Sequence, residues 1–147
     1  MSDDQLGFDG LSREVTVYFD GGARGNPGPA AIGAVVVDAT HEPPTVLATV
    51  SECIGETTNN VAEYRALIAG LEAARALHAQ TVHVRGDSKL VIEQLEGRWR
   101  VKQPHLTPLH ATARALLDGF DHVDLAHVRR ELNVDADALV NAALDLA

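Results

Sequence analysis

The sequence predicts an α/β fold with a mixed five-stranded sheet, three antiparallel strands followed by two parallel strands, flanked by helices. Its first half contains three runs rich in β-branched and apolar residues, and short turns separate them. Its second half alternates short β-rich runs with segments whose apolar residues recur at helical spacing. Short connections join antiparallel strands, whereas parallel strands need the longer crossovers that the later helices supply.

The first half contains three predicted strands. They are Val15–Asp20, Ala31–Val37 and Thr45–Ile54. The turn-rich stretch GGARGNPGPA separates the first strand from the second. The segment His41–Pro44 forms the next turn, because neither of its prolines can donate an N–H group to a strand ladder.

The second half continues in the order helix, strand, helix, helix, strand, helix. These elements are predicted at 61–77, 81–85, 88–96, 106–117, 121–127 and 136–144. Gly97 and Gly119 end the second and third helices, since glycine is common just after the last helical turn. The helices between the later strands allow parallel crossovers, so the last two strands are predicted to be parallel.

Composition predicts one globular domain. The chain has 147 residues, of which 46% are apolar and 22% charged. Residues 1–13 are interpreted as a flexible acidic leader and 14–147 as the domain, because the leader lacks the basic and apolar regions of a signal peptide. The single cysteine, Cys53, excludes an internal disulfide and indicates a reducing, cytoplasmic location. No apolar run is long enough to span a membrane.

The charge balance first argues against nucleic acid. Acidic residues outnumber basic ones by 21 to 12, which gives a formal charge of −9. Proteins that bind nucleic acid usually carry a basic excess. The positions of the acids therefore decide whether this objection holds.

Four acids stand at the ends of predicted elements. They are Asp20, Glu63, Asp87 and Asp137. Each has a structural alternative: Asp20 can begin a turn, Glu63 has capping-box spacing from Asn60, and either Asp87 or Ser88 can cap a helix. The last acid lies in the first turn of the final helix, where the helix dipole favours negative charge.

Taken together, the four acids predict a metal site. If the first and fourth strands are parallel neighbours, Asp20 and Asp87 lie side by side at one sheet edge, and two helix starts bring Glu63 and Asp137 to it. Clustered carboxylates raise one another's pKa and are costly unless cations bind. Oxygen ligands alone select Mg²⁺, with Mn²⁺ as a substitute, rather than zinc. Two such ions can promote hydrolysis of a phosphodiester.

Four segments carry a resemblance to a known family. They are YFDGGARGNPGPAAIGAVV, TTNNVAEYRALIAGLEAA, GDSKLVIEQL and HVRRELNVDADALVNAAL. In this order they resemble the four signature blocks of type 1 ribonuclease H. The resemblance implies the ribonuclease H fold and cleavage of the RNA strand of RNA–DNA hybrids, leaving 3′-hydroxyl and 5′-phosphate ends. It also implies that Asp20 bridges two Mg²⁺ ions, that Asp137 completes the nucleophile side, and that Glu63 and Asp87 complete the leaving-group side.

The resemblance extends to residues that contact the substrate. The matching positions are Gly22, Ala23, Asn26, Thr58, Asn59 and Asn60. It implies that backbone amides near the first two reach 2′-hydroxyls and that Asn26 contacts the RNA minor groove. It implies that Thr58 holds a phosphate of the DNA strand, while Asn59 and Asn60 read the groove. Helix capping is the alternative for this asparagine pair.

The segment after His127 departs from many family members. It is too short for the flexible loop whose histidine is thought to assist product release, so His127 is not assigned that role. The chain instead resembles the compact bacterial and archaeal branch, where an arginine occupies this region. Arg130 is the better candidate and Arg129 the lesser one; the alternative is a solvated pair.

Some family members bind the hybrid with a basic protrusion that contains an extra helix. Residues 97–104 are too few for that helix, and a basic stretch stands in this region instead. The stretch 97–114 contains no acid and surrounds the only tryptophan, Trp99. Its bases are Arg98, Arg100, Lys102 and Arg114. It is predicted to track the DNA backbone, with a core tryptophan flanked by solvated bases as the alternative. Lys89, which replaces a frequent glutamine, is expected to reach phosphate.

Parts of the sequence also suggest functions other than hybrid cleavage. The glycine-rich segment lacks the G-K-[ST] ending of a phosphate-binding loop and leads into a strand, which argues against a nucleotide site. The alternatives are a ribonuclease H-fold nuclease acting on a junction or on double-stranded RNA, and a non-catalytic hybrid-binding module. The predicted partner is an RNA–DNA hybrid bound by a monomer, in a parent chain that could carry a C-terminal phosphatase-like domain. Two bound divalent ions would reduce the charge of −9 to about −5.

Overall fold

The computed structural model describes residues 13–147, so the predicted acidic leader lies almost wholly outside the described residues. The elements are β1 (Arg13–Ala23), β2 (Gly28–Asp38), β3 (Thr45–Thr57), α1 (Asn59–Ala76), β4 (Ala79–Gly86), α2 (Lys89–Leu95), α3 (Thr107–Asp118), β5 (His122–His127) and α4 (Val134–Leu146). A short 3₁₀ turn, Arg130–Leu132, precedes α4. Because β1 begins at Arg13, the sheet starts one residue before the predicted domain boundary.

The five strands form one sheet in the order β3-β2-β1-β4-β5. β1 pairs antiparallel with β2, which pairs antiparallel with β3. β4 pairs parallel with both β1 and β5. The predicted mixed sheet, three antiparallel strands followed by two parallel ones, is confirmed.

The hairpin between β1 and β2 is longer than predicted. β1 continues past Asp20, and Ala23 still pairs with Ala30, so the prediction that the strand stops at Asp20 is wrong. Cross-strand hydrogen bonding outweighs the turn preference of the glycines here. Gly21 is needed for a different reason, because a Cβ at this position would lie 2.2 Å from the carbonyl oxygen of Ala62 in α1.

Helices cover both faces of the sheet. Alternate residues of a strand face opposite sides, so Ile32 packs into the main core with α1 while Ala31 packs against α4. The first turn of α4 lies directly on β2, where a Cβ on Gly33 would meet the carbonyl oxygen of Ala136 at 2.4 Å. This close approach brings the start of α4 near the middle of β1. No helix within residues 13–147 is both long and apolar enough to cross a membrane.

Candidate metal centre and nucleic-acid cleft

Asp20 and Asp87 lie side by side where the parallel pairing of β1 and β4 ends. Phe19 and Gly86 are the last paired residues of these strands, and the two acids follow them directly. β1 continues as a ribbon with β2 alone, so Asp20 is at the end of the sheet only on its β4 side. The predicted juxtaposition therefore holds although Asp20 does not end its strand.

Glu63 is free of the capping role that its spacing suggested. Thr58 is the N-cap of α1, and its hydroxyl accepts a hydrogen bond from the Val61 amide at 3.2 Å. Asn60 is therefore the second residue of the helix, and the capping-box alternative is wrong. The Glu63 carboxylate instead accepts a hydrogen bond from the Gly21 amide at 3.0 Å.

Asp87 is likewise not the cap of α2. Ser88 occupies that position, and its hydroxyl accepts from the Val91 amide at 3.3 Å. The Asp87 carboxylate is thus available to the cleft, where 14% of its side chain is exposed. One residue supplies the cap and its neighbour the carboxylate.

Three carboxylates form a tight cluster. One oxygen each from Asp20, Glu63 and Asp87 lies within 4.8 Å of the others. Burial, followed by the neighbouring carboxyl groups of Asp87 and Asp137, raises the pKa of Asp20 to about 8. Burial, and then Asp20 and Asp87, raise the pKa of Glu63 well above its usual range, which the Gly21 amide and Arg130 offset only in part.

Asp137 completes the predicted set from the other side of the sheet. It comes from the first turns of α4 and lies outside the tight trio, yet it is close enough to Asp20 to raise the pKa of that carboxyl. All four carboxylates line one cleft of about 550 Å³. A buried cluster made only of carboxylate oxygens, with no histidine or thiolate, fits a hard divalent cation.

The two arginines after β5 both line this cleft and differ in what they contact. The Arg130 Nε atom lies 4.0 Å from a carboxylate oxygen of Asp87, and 86% of its side chain is exposed. Arg129 instead pairs with Glu131 at 3.3 Å. His127 also lines the cleft. The geometry favours Arg130 as the arginine that faces the carboxylates.

The asparagines of the predicted RNA-contacting set join the β1–β2 turn to α1. Asn59 Oδ1 accepts a hydrogen bond from the Ala23 amide at 2.8 Å, and Asn26 Oδ1 accepts from the Asn59 amide at 3.0 Å. The Ala23 amide, predicted to reach a 2′-hydroxyl, is therefore engaged with Asn59. Gly22 lines the cleft, and Asn60 is half-buried in the first turn of α1.

The basic stretch exposes its tryptophan. Trp99 is 43% exposed, so the alternative of a core tryptophan is wrong. The Lys89 ammonium lies 5.9 Å from the centre of the Trp99 ring, a cation–π distance. No helix forms in residues 96–106 between α2 and α3, which agrees with the predicted absence of a protrusion.

The four bases of this stretch are not equivalent. Arg98 pairs with Glu93, and Arg114 pairs with Asp118 at 2.9 Å. Within residues 13–147, Arg100 and Lys102 form no ion pair. Both line a second cleft, of about 360 Å³, together with Trp99.

Two further residues, Arg24 and Asn141, line the carboxylate cleft although no sequence motif singled them out. Arg24, in the turn after β1, contacts Asp145 at 2.7 Å and the Asn141 amide oxygen at 3.4 Å. The Asn141 amide nitrogen lies 3.4 Å from the carboxylate of Asp137. The four-residue spacing of Asn141 from Asp137 on one helix face was an available signal, whereas nothing local marked Arg24.

The chain is similar to several known proteins. The model of a family described as reverse transcriptase-like matches residues 18–143. The N-terminal RNase H domain of Rv2228c from Mycobacterium tuberculosis, solved as a fusion with maltose-binding protein, is 52% identical. The match covers 90% of this chain and 99% of that one, with a TM-score of 0.86. The chain belongs to the type 1 ribonuclease H family.

Two further structures support membership of a compact ribonuclease H branch. RNase H1 from Halobacterium salinarum is 48% identical over 91% of this chain and 99% of that chain, with a TM-score of 0.86. LC11-RNase H1, solved in complex with an RNA/DNA hybrid, is 42% identical over 90% and 97%, with a TM-score of 0.82. The predicted ribonuclease H fold is confirmed.

The chain spans only part of the length of the first curated relatives that it matches. The match to the bifunctional protein Rv2228c is 52% identical over 134 residues, which is 91% of this chain and 36% of that protein. The match to ribonuclease HI of Halobacterium salinarum is 49% identical over 131 residues, or 89% of this chain and 64% of that protein. The chain thus corresponds to one part of the first relative.

Proposed function

We propose that this domain is an endoribonuclease that hydrolyses the RNA strand of RNA–DNA hybrids and leaves 5′-phosphate and 3′-hydroxyl ends. The observation that carries the proposal is the cleft in which the four family carboxylates meet. A relative 42% identical to this chain has been solved with a hybrid. Divalent-metal dependence follows from family membership and from the oxygen-only cluster.

The specific cofactor in this proposal is a pair of Mg²⁺ ions, with Mn²⁺ as a substitute. When bound, two such ions lower the pKa of the attacking water and stabilise negative charge on the leaving oxygen. Asp20 has Asp87 and Asp137 as charged neighbours, and Glu63 has Asp20 and Asp87. In this proposal Asp20 would serve as a ligand in both ion sites, Asp137 in one of them, and Glu63 and Asp87 in the other.

The chain's own groups hold these carboxylates in place. The Gly21 amide orients Glu63, and the close packing of α1 on Gly21 excludes a side chain that would separate them. The Arg130 guanidinium faces Asp87 from the solvent side. There it is placed to contact a phosphate that enters or leaves the cleft, which supports a role in turnover.

The proposed RNA contacts lie on the β1–β2 turn and the start of α1. Asn26 and Asn59 are exposed there, with Gly22 and Asn60 half-buried beside them. The Ala23 amide supports this surface through Asn59. The Thr58 hydroxyl oxygen accepts a hydrogen bond from the Val61 amide. Its own O–H group is therefore free to donate to a phosphate of the DNA strand.

The proposed DNA contacts lie on the second cleft. Trp99 supplies an exposed ring for stacking on sugar or base, and the Lys89 ammonium lies against that ring. Arg100 and Lys102 line the same cleft and supply charge for phosphates. This local basic surface answers the objection from the overall acidic charge, because fields fade over about 8 Å at physiological salt.

We further propose that the domain acts as a monomer in the cytoplasm. All four carboxylates come from one chain, so the site needs no second copy. Cys53 is a free thiol, which suits a reducing compartment. The relative Rv2228c is called bifunctional, which supports the fusion of this domain to a second domain in a longer chain. We propose that this second domain is phosphatase-like.

Cleavage of a labelled RNA–DNA hybrid tests the main proposal. Cleavage of the RNA strand with Mg²⁺, no cleavage with EDTA and none by Asp20→Asn are expected. Matched double-stranded DNA, double-stranded RNA and a four-way junction serve as competing substrates. Preferential cleavage of any of these would show that it, rather than the hybrid, is the substrate. Hybrid binding without cleavage would indicate a non-catalytic module.

A further inference from the structure

Asn133 joins the last helix to the first strand. It is 1% exposed and directly precedes α4. Its side-chain amide nitrogen donates to the Phe19 carbonyl oxygen at 2.8 Å, across 114 positions of sequence. Its own carbonyl oxygen accepts the Asp137 amide at 3.1 Å. One residue therefore contacts both Asp137 and the peptide group that leads into Asp20.

The side-chain hydrogen bond joins the start of α4 to β1, while the bond from the Asp137 amide is the ordinary first hydrogen bond of the helix. The Phe19 carbonyl belongs to the peptide whose nitrogen is that of Asp20, so its orientation affects the direction of the Asp20 side chain. Elsewhere α4 contacts the sheet through the apolar side chains of Val140, Ala143 and Leu144. Its carbonyl oxygens at Leu139 and Ala143 also accept hydrogen bonds from Ser51 and Cys53 of β3. The two hydrogen bonds from β3 hold α4 at the edge of the sheet, whereas the buried bond from Asn133 reaches β1 at the residue before Asp20.

Asn133 does not do what an asparagine before a helix usually does. An asparagine at the N-cap normally accepts a backbone N–H of the first turn through its side-chain oxygen. In this helix no side-chain cap hydrogen bond is made. The Asn133 Oδ1 atom is buried without a hydrogen-bond partner in the part of the chain that the structure describes. Leaving an acceptor buried and unpaired is destabilising.

The structure therefore assigns Asn133 as a positioning residue that holds Asp20 and Asp137 at the separation needed for divalent-metal binding. An apolar side chain of similar shape would remove the unpaired Oδ1 atom of Asn133 but would take the donor from the Phe19 carbonyl oxygen. Each side chain thus leaves one acceptor without that partner, so stability alone does not account for an amide here. The inference rests on the proposed function only in requiring that these carboxylates bind divalent cations. Loss of an outer hydrogen-bond partner of a metal site typically lowers metal affinity or activity by 10- to 100-fold. For this site we expect a loss near the lower end, about tenfold.

The test compares Asn133→Leu, which keeps the shape but has no donor, with Asn133→Ala and the wild type. Mg²⁺ binding is measured by calorimetry without hybrid, and thermal melting and hybrid cleavage are measured in parallel. Asn133→Leu is expected to keep its Tm within about 4 °C of the wild type and to lose about tenfold in Mg²⁺ affinity. Its kcat should fall while KM for the hybrid stays within about twofold, since Asn133 does not line the cleft.

Leu117→Ala is the control for destabilisation alone. Leu117 is buried in α3 and does not line the cleft, so this variant should lower Tm and leave Mg²⁺ affinity unchanged. Wild-type Mg²⁺ affinity in Asn133→Leu would overturn the inference. Failure of both Asn133 variants to fold, with Leu117→Ala folded, would also overturn it by making the residue structural. A wild type that binds Mg²⁺ but leaves hybrids intact would instead remove the proposed function, and the positioning role would stand on the binding data.

Discussion

Gly21 donates its backbone N–H to the carboxylate of Glu63 at 3.0 Å, although the two residues are 42 positions apart. The bond exists because β1 extends beyond Asp20 and α1 packs against that extension. It offsets only part of the effect of burial and charge on the Glu63 pKa. The carboxylates thus remain mutually repulsive in the absence of cations, and several consequences can be measured.

Replacing Asp20 with asparagine should stabilise the metal-free protein while abolishing hydrolysis. Asp20 is 8% exposed and lies beside three carboxylates, so removing its charge relieves burial and repulsion. We expect a gain of about 1 kcal/mol in the free energy of unfolding at neutral pH, as is common when a strained functional site is relieved. Urea unfolding in EDTA measures it.

The same variant carries an internal control. In saturating Mg²⁺ the wild type should gain stability from binding and Asp20→Asn should gain less, because a ligand that binds only the native state stabilises it. A metal-free Asp20→Asn protein less stable than the wild type would contradict the prediction that the cluster is repulsive.

Arg130→Ala should slow turnover more than it weakens hybrid binding. The Arg130 side chain is 86% exposed and faces Asp87 across 4.0 Å, so it is expected to act on phosphates passing through the cleft rather than to hold the duplex. Steady-state and single-turnover rates measure the effect, and we expect kcat to fall by roughly tenfold with little change in KM. Arg129→Ala is the matched control, since Arg129 pairs with Glu131. Equal effects of the two variants on kcat would contradict the assignment of this role to Arg130 rather than to Arg129.

Arg100→Ala with Lys102→Ala should flatten the salt dependence of hybrid binding. Each phosphate contact contributes a slope of about −0.9 in log K against log salt, so losing two should reduce the slope by roughly 2. Fluorescence anisotropy on a labelled hybrid across a salt series measures the slope. Arg75→Ala is the control for charge, because Arg75 lies in the last turn of α1, at the opposite end from the cleft. An unchanged slope in the double variant would place the stretch outside the interface.

His83 should make thermal stability depend on pH. Its ring contacts Glu14 through Nε2 and Asp124 through Nδ1, the latter at 2.7 Å. The hydrogen bond with Glu14 is the largest influence that raises the pKa of His83 above its ordinary value of 6.5, and the Asp124 contacts add to it. A histidine whose folded pKa is raised stabilises the fold fully below the unfolded pKa, and this stabilisation is lost as pH rises through the folded pKa.

The wild type should therefore lose Tm as the pH rises above about 6.5, and His83→Gln should lose less over the same range. Melting in saturating Mg²⁺ separates this effect from that of the cleft carboxylates. Parallel curves for the two proteins would show that these contacts carry no net stabilisation.

Most of the fold was predictable because its signals are local. Strand-forming runs, helical spacing and connection lengths are properties of neighbouring residues, and they predicted both the order of elements and the strand directions. The meeting of Asp20 and Asp87 followed from parallel pairing alone. The extent of β1 did not, because its last residues pair with β2 against their own turn preference.

The sequence also did not decide which residues cap α1 and α2. Asn60 and Asp87 are as suitable chemically as Thr58 and Ser88, and only the point at which each helix begins separates them. That point depends on how the helix packs on the sheet. Trp99 was similarly undecided, since one aromatic residue among bases suits either a core or a surface until its neighbours are known.

The sequence alone determined the family, the four carboxylates, the mixed sheet and the compact form without a protrusion. Each of these depends on residue types at short spacing. The hydrogen bonds that hold the site came from the folded chain: Gly21 with Glu63, Asn59 with Ala23, and Asn133 with Phe19. Their partners are 36 to 114 positions apart. No local pattern specifies such pairs, since they form only where strand register and helix packing bring the two backbones into contact.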